Sequence, residues 1–301
     1  MTQIGPDHIA IFGPGAAKCE GVVVDKDGNV YGGGRDRNLY KVTPDGKVSV
    51  LTVLPEGSVP NGIAMDRNGD LVICDLGLHG IVRVTQSGKV SLFADHAGDV
   101  KLTMPNFCTY DSDGNLFVSN TSRRTIADFR VEMNVPEPNG ALVRLRPNGD
   151  GDVVARGLYV ANGTAISPEE DAVFVLQTNV SNCLRIPFST MGTAKPEVYA
   201  SGFHAVPDGM AFDEAGTLFV TLPGRIAKDG RLSPVNDIIA VDRSGNWRTV
   251  ISDPTCAKTD HTTNCAFGGP DMRDFYIANL HAPHFSRVRM PVPGHKLYHQ
   301  R

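Results

Sequence analysis

VPDGMAFDEAGTLFV, residues 206–220, contains an apolar run, a D-x-x-G turn headed by Asp213, and a second, alternating run. That order is the signature of a β-hairpin. The same pattern recurs in VVVDKDGNVYGGG (22–34), IAMDRNGDLVICD (63–75) and CTYDSDGNLFVSN (108–120). Degenerate copies stand at TAISPEEDAVFVLQT (164–178) and FGGPDMRDFYIAN (267–279). After each copy comes a further strand-like unit: LYKVTPDGKV (39–48), IVRVTQSGKV (81–90), LVRLRPNGDG (142–151), CLRIPFST (183–190), IIAVDRSGNW (238–247) and FSRVRMPVPG (285–294). A fourth strand fits after most of them, and no helix-length amphipathic window interrupts the series. Six units of four short strands predict an all-β, six-bladed β-propeller forming one domain over residues 1–301. The strand near residues 8–12 is expected to close the last blade. The long polar segment 121–141 reads as a loop over one face.

The bulk properties agree with a globular enzyme or binding protein. The 301 residues carry a net charge of −4, with both signs interspersed. Basic stripes for nucleic acid and basic amphipathic helices for a membrane surface are lacking, so the expected partner is a small-molecule substrate, with no nucleic acid and no membrane. A monomer or small homo-oligomer is expected. The N-terminus lacks the basic and apolar regions of a secretory signal, and the chain is placed in the cytoplasm. The six cysteines show no CxxC spacing and read as reduced thiols, although Cys256 and Cys265 could bridge a loop.

In a propeller the first strand of each blade lines a central channel. Taking the residue five before each turn Asp, or its equivalent, selects Glu20, Asn61, Asn106, Asn162, Asp208 and Cys265. Five of these bear side-chain oxygens, on residue types that strands disfavour. Two carboxylates converging in a narrow channel repel unless a cation lies between them. Glu, Asp and Asn oxygens suit a hard divalent ion: Ca²⁺ first, with Mg²⁺, Mn²⁺ or Zn²⁺ as alternatives. Each Asn-Gly or Asp-Gly pair is, taken singly, an ordinary turn former.

These residues resemble the SMP-30/gluconolactonase/luciferin-regenerating-enzyme family over roughly residues 15–295. The likeness is carried by Glu20-Gly21, PNGIAMDRNGDLVICD (60–75), PNFCTYDSDGNLFVSN (105–120), ANGTAISPEED (161–171), PDGMAFDEAGTLFVT (207–221) and NCAFGGPDMRDFYIAN (264–279). The resemblance implies metal ligation by Glu20, Asn162 and Asp208, with Asn106 coordinating or contacting substrate and Asn61 on the pocket wall. It implies a metal-dependent hydrolase that opens lactones. The ion would act as Lewis acid, and Asp208, or a water held by the ion, as base or nucleophile. Sugar-lactone-opening relatives often carry an Arg two residues before the blade-three Asn and an Asp just after it. Met104 and Phe107 stand there, which points to a less polar lactone or ester. Arg123, Arg124 and Arg130 of the 121–141 segment are candidate replacement contacts. A metal-assisted lyase, or a binding propeller with a structural ion, is the alternative. No G-x-S-x-G elbow is present. His281 and His284 read as solvent-facing or supporting residues, and Cys19 and Cys108 as packed thiols.

Overall fold

The computed structural model describes residues 3–301 except 136, 194 and 228–231, and leaves the side chains of Phe129, Arg130 and Glu132 undescribed. Six four-stranded antiparallel sheets follow one another along the chain. Blade 1 comprises Val23–Val24, Val30–Gly33, Asn38–Val42 and Val48–Val53, and blade 2 Pro60–Met65, Leu71–Asp75, Gly80–Val84 and Val90–Ala94. Blade 3 is Pro105–Tyr110, Leu116–Asn120, Gly140–Leu145 and Gly151–Leu158; blade 4 is Ala161–Ile166, Ala172–Gln177, Asn182–Pro187 and Glu197–Ser201. Blade 5 is Met210–Phe212, Leu218–Ile226, Leu232–Val241 and Trp247–Ser252. Blade 6 takes Thr262–Gly268, Asp274–Asn279 and Phe285–Arg289, and its outer strand is Ala10–Phe12, with Ile11 opposite Ser286. The first strands touch in a closed cycle, blade 1 to 2 and onward round to blade 6 and back to 1. The architecture is therefore the six-bladed propeller read from the repeats.

The turn chemistry explains why the motif recurs. Asp66 Oδ1 accepts the Asn68 and Asp70 amides at 2.8 and 3.0 Å, and Gly69 takes the left-handed φ of +82° that closes the turn. Asp25, Asp111 and Asp213 repeat this. Blade 4 keeps the geometry with other residues. Ser167 Oγ accepts the Asp171 and Ala172 amides at 3.0 and 3.1 Å, and Glu170 stands at φ +56° where glycine would sit.

The core is not central. Six apolar clusters each fill the wedge between two neighbouring blades; Ala64, Val72 and Cys74 of blade 2, for example, pack on Leu116, Val118 and Val143 of blade 3. Inner strands are buried on both sides, and so Pro60–Met65 is buried throughout while Val48–Val53 at the rim is not. All six cysteines are free thiols, with Cys256 exposed and Cys265 buried, so no disulfide closes that loop.

Antiparallel order places two kinds of connection at the mouth where the first strands begin: those between second and third strands, and those entering each blade. Segment 121–139 is one of these. It contains a short helix, Phe129–Asn134, where the sequence suggested only loop, and Asn179 of blade 4 ties it down through the Met133 carbonyl at 2.8 Å. The opposite mouth is crossed by the C-terminal segment. Gly294 bonds Met272 of blade 6, His295 bonds Phe212 of blade 5, and His299 reaches the Val24 carbonyl of blade 1 at 2.8 Å. Tyr298 stacks on Tyr110 of blade 3 and lies under Arg67 of blade 2, and Arg301 pairs with Glu170 of blade 4. All six blades are thus tied by one strap. Above it lies a small axial cavity of about 60 Å³, lined by Phe107, Cys108, Thr164 and Met210 among others. No helix among the described residues is long and apolar enough to cross a membrane.

Candidate metal centre

The ring of first-strand residues can be traced atom by atom. A Cβ on Gly21 would come within 2.5 Å of the Asn61 carbonyl oxygen, one on Gly62 within 2.6 Å of that of Asn106, one on Gly163 within 2.5 Å of that of Asp208, and one on Gly209 within 2.6 Å of that of Thr263. The ring closes where Thr263 Oγ1 donates to the Glu20 carbonyl at 2.7 Å. Between Asn106 and Asn162 the link is the packing of the first strands of blades 3 and 4, so Glu20, Asn61, Asn106, Asn162 and Asp208 stand side by side, as the repeat register indicated. The sixth member is Thr263 and not Cys265. The blade 6 turn begins at Gly268, opposite Asp274, and five residues back from there is Thr263; Cys265 packs into the wedge between blades 5 and 6. The Asn-Gly pairs are not turns either. Asn61–Gly62 and Asn162–Gly163 lie inside strands, and glycine follows the ring residue because the neighbouring backbone leaves no room for a side chain.

Thr178 Oγ1 gives its proton to the Pro207 carbonyl at 3.0 Å, so it can only accept from Asn162 Nδ2, at 3.1 Å. That fixes the amide. Asn162 Oδ1 is left buried with no hydrogen-bond donor, although the residue is only 7% exposed. A bare buried oxygen is costly unless something electropositive meets it. Beside it, burial pushes the Asp208 carboxyl well above the ordinary carboxylate range and the Glu20 charge pushes it further, against weaker opposing pulls from the Asn162 amide and Arg35. Burial also raises Glu20, opposed by Arg35. Two strained carboxylates and an orphaned amide oxygen are a donor set that fits a divalent hard cation. Among the described residues no group of three His, Cys, Asp or Glu side chains gathers as a metal cage, so the set depends on amide oxygens.

Two neighbours were not evident from the sequence. Arg35 Nη2 lies 3.1 Å from Glu20 Oε2, with the arginine side chain 36% exposed and the glutamate 13%. Arg35 sits in the loop after Gly32–Gly34; that glycine run was a usable signal, because Gly33 and Gly34 are crowded by Pro60 and the Ala17 carbonyl. His261, two residues before Thr263, is held at φ +58° by its N–H to Asn236 Oδ1 at 2.8 Å. Its ring is 4.4 Å from that of His281, which faces Asp260 at 3.7 Å. Burial, His281 and Arg35 together push the His261 pKa down to about 4, so it is neutral at neutral pH. His281 is 56% exposed, and His284 meets the Lys258 carbonyl.

The other candidate contacts are scattered. Met104 is buried, with its backbone held by Asn120 and Thr121. Phe107 lines the axial cavity, whose walls include no ring residue. Arg123 lines a separate cleft of about 380 Å³ with Lys101, Asp99 and Arg156. Arg124 pairs with Glu137 at 2.8 Å, and the Arg130 side chain lies outside the described residues.

Comparison with known proteins agrees with the fold. A gluconolactonase of Zymomonas mobilis is 27% identical over 239 residues, covering 70% of this chain and 67% of that protein. Strictosidine synthase-like 6 of Arabidopsis thaliana is 24% identical over 180 residues, and the match spans 59% of this chain but only 47% of that protein. Among solved structures, a gluconolactonase of Xanthomonas campestris superposes with a TM-score of 0.74 at 21% identity, covering 94% of this chain and 89% of that one. Regucalcin of Agrobacterium tumefaciens, titled a calcium-binding protein, gives 0.73 at 18%, covering 99% and 100%. Virginiamycin B lyase of Staphylococcus aureus gives 0.61 at 17%, covering 91% and 81%. At these identities the superpositions speak to fold alone. The family model described as SMP-30/Gluconolactonase/LRE-like region matches residues 20–281, from the first ring residue to the histidine beside His261, and the chain belongs to that family.

Proposed function

We propose that this protein is a metal-dependent hydrolase that opens the ring of a lactone. The observation that carries the reading is the buried Asn162 Oδ1, without a hydrogen-bond partner, on the residue next to the mutually repelling Asp208 and Glu20 carboxylates. Glu20, Asn162 and Asp208 would hold the ion, with Asn106 next in the ring as a ligand or substrate contact and Asn61 as pocket wall. Bound there, a divalent ion, Ca²⁺ first, supplies Lewis acidity to the substrate carbonyl. Asp208 accepts a proton from the attacking water as the new C–O bond forms. The ring C–O bond then breaks, and the ring oxygen takes a proton to become the product hydroxyl. Naming of relatives as gluconolactonase and as lactonase supports the reaction class.

The test is to strip the protein of metal and assay a panel from gluconolactone to apolar γ- and δ-lactones, with Ca²⁺, Mg²⁺, Mn²⁺ or Zn²⁺ restored. Metal-dependent ring opening that Asp208→Ala abolishes is the expected result. Tight metal binding with no turnover of any lactone would overturn the reading. A product formed without uptake of water would move the assignment to a lyase.

A further inference from the structure

We infer that Arg35 selects the substrate, and that the site takes lactones carrying a second, anionic group, carboxylate or phosphate. This rests on the proposed hydrolase site. Arg35 supplies a positive charge that Glu20 faces, at 3.1 Å. A divalent ion between Glu20 and Asp208 would balance both carboxylates with its own two charges. Arg35 then no longer has to balance Glu20, and its guanidinium is left at the rim of a recessed site.

Among the described residues no carboxylate other than Glu20 forms an ion pair with it. Asp36, its chain neighbour, is engaged by the Tyr40 hydroxyl at 2.5 Å and the Asn38 amide at 2.8 Å on its own loop. Asp260 faces His281, and His261 is neutral. Among the described residues, Glu20 is the ion-pair partner of Arg35, and only Nη2 is engaged in a hydrogen bond. The remaining guanidinium donors form a fork that matches a carboxylate or phosphate. Because Arg35 is more exposed than Glu20, an incoming ligand meets the guanidinium before the carboxylates. The same charge opposes the metal, so Arg35 couples the two binding events: it weakens cation binding and is repaid when an anion arrives.

Two calorimetric measurements test this, on wild type, Arg35→Gln and Arg35→Lys, with folding checked by thermal melting. The first is Ca²⁺ affinity. Arg35→Gln is expected to bind Ca²⁺ on the order of tenfold more tightly, and Arg35→Lys to stay near wild type. The second compares D-glucarate and 6-phosphogluconate with D-gluconate on the Ca²⁺-loaded protein; these probes differ at the terminal carbon alone. Wild type is expected to prefer the two charged probes by on the order of tenfold, Arg35→Gln to show no preference, and Arg35→Lys, which loses the planar fork, to keep part of it. Preference for only one of the charged probes identifies which anion the fork accepts. Unchanged Ca²⁺ affinity in Arg35→Gln, or equal affinity of wild type for all three probes, absence of binding included, overturns the inference. Metal-dependent turnover of neutral lactones with equal probe affinities would leave the hydrolase reading standing and remove this one. The calcium shift and probe preference without turnover of any lactone would do the reverse.

Discussion

Gly163 donates its N–H to the Asp208 carbonyl at 2.8 Å, and a Cβ on Gly163 would come within 2.5 Å of that same oxygen. The backbone of one ring member thus positions the next. Gly163→Ala is expected to force blades 4 and 5 apart, costing about 1–3 kcal/mol as overpacking does. Because the displaced backbone is that of Asp208, Ca²⁺ affinity is expected to fall with it. Urea denaturation and calorimetry read the two effects. An unaltered midpoint in urea would show that the close approach is not a constraint.

Ion binding should be visible in stability. Ca²⁺ at a hundred times its Kd is expected to raise the unfolding free energy by about 2.7 kcal/mol through binding to the folded state alone. Asp208→Asn removes a buried charge that Glu20 repels, so without metal this variant is expected to melt higher than wild type while losing the Ca²⁺ increment. If Asp208→Asn retains the full increment, Asp208 is not a ligand.

His261 sets an acid limit. Its folded pKa of about 4 lies below the ordinary 6.5, so the unfolded chain binds the proton more readily. The stability this neutral ring contributes is complete above pH 6.5 and is lost as pH falls toward 4, by at most about 3 kcal/mol. Melting curves across that window should be flatter for His261→Gln than for wild type. Parallel curves would place the acid sensitivity elsewhere.

Tyr298 anchors the strap. It stacks on Tyr110 at 5.3 Å and carries Arg67 at 4.4 Å over its ring. Tyr298→Ala is expected to cost about 1–3 kcal/mol from lost ring contacts and apolar burial. The proposed metal site lies at the other mouth, so Ca²⁺ affinity is expected to hold. A change in affinity without a change in stability would contradict this separation.

The fold was legible because its turns repeat chemically: Asp25, Asp66, Asp111 and Asp213 do the same work in their blades, with Ser167 in their place in blade 4, and counting back from these five found five ring members. Counting failed at Thr263, where blade 6 lacks a turn aspartate and the register begins at Gly268. Arg35 and His261 were missed for a different reason. They enter the site from connections, not from the repeated strands, and only folding brings the blade 1 loop and the start of blade 6 beside Glu20. The strap was invisible because its contacts are backbone carbonyls, single rings and an ion pair, which impose no period.

The contact between His299 and Val24 joins positions 275 residues apart, and the strand Ala10–Phe12 likewise waits for Phe285–Arg289. With the apolar interior divided into six wedges, a chain growing from the ribosome can stack blades pairwise as they emerge. The sixth wedge has no second wall until blade 6, through Phe285, is made. Throughout synthesis the blade 1 face that ends against Phe285 and Tyr276 stays open to any other unfinished chain. Closure of this ring is therefore an event in time, and hastening release of the residues after 285 should protect the nascent protein from aggregation more than strengthening any one blade.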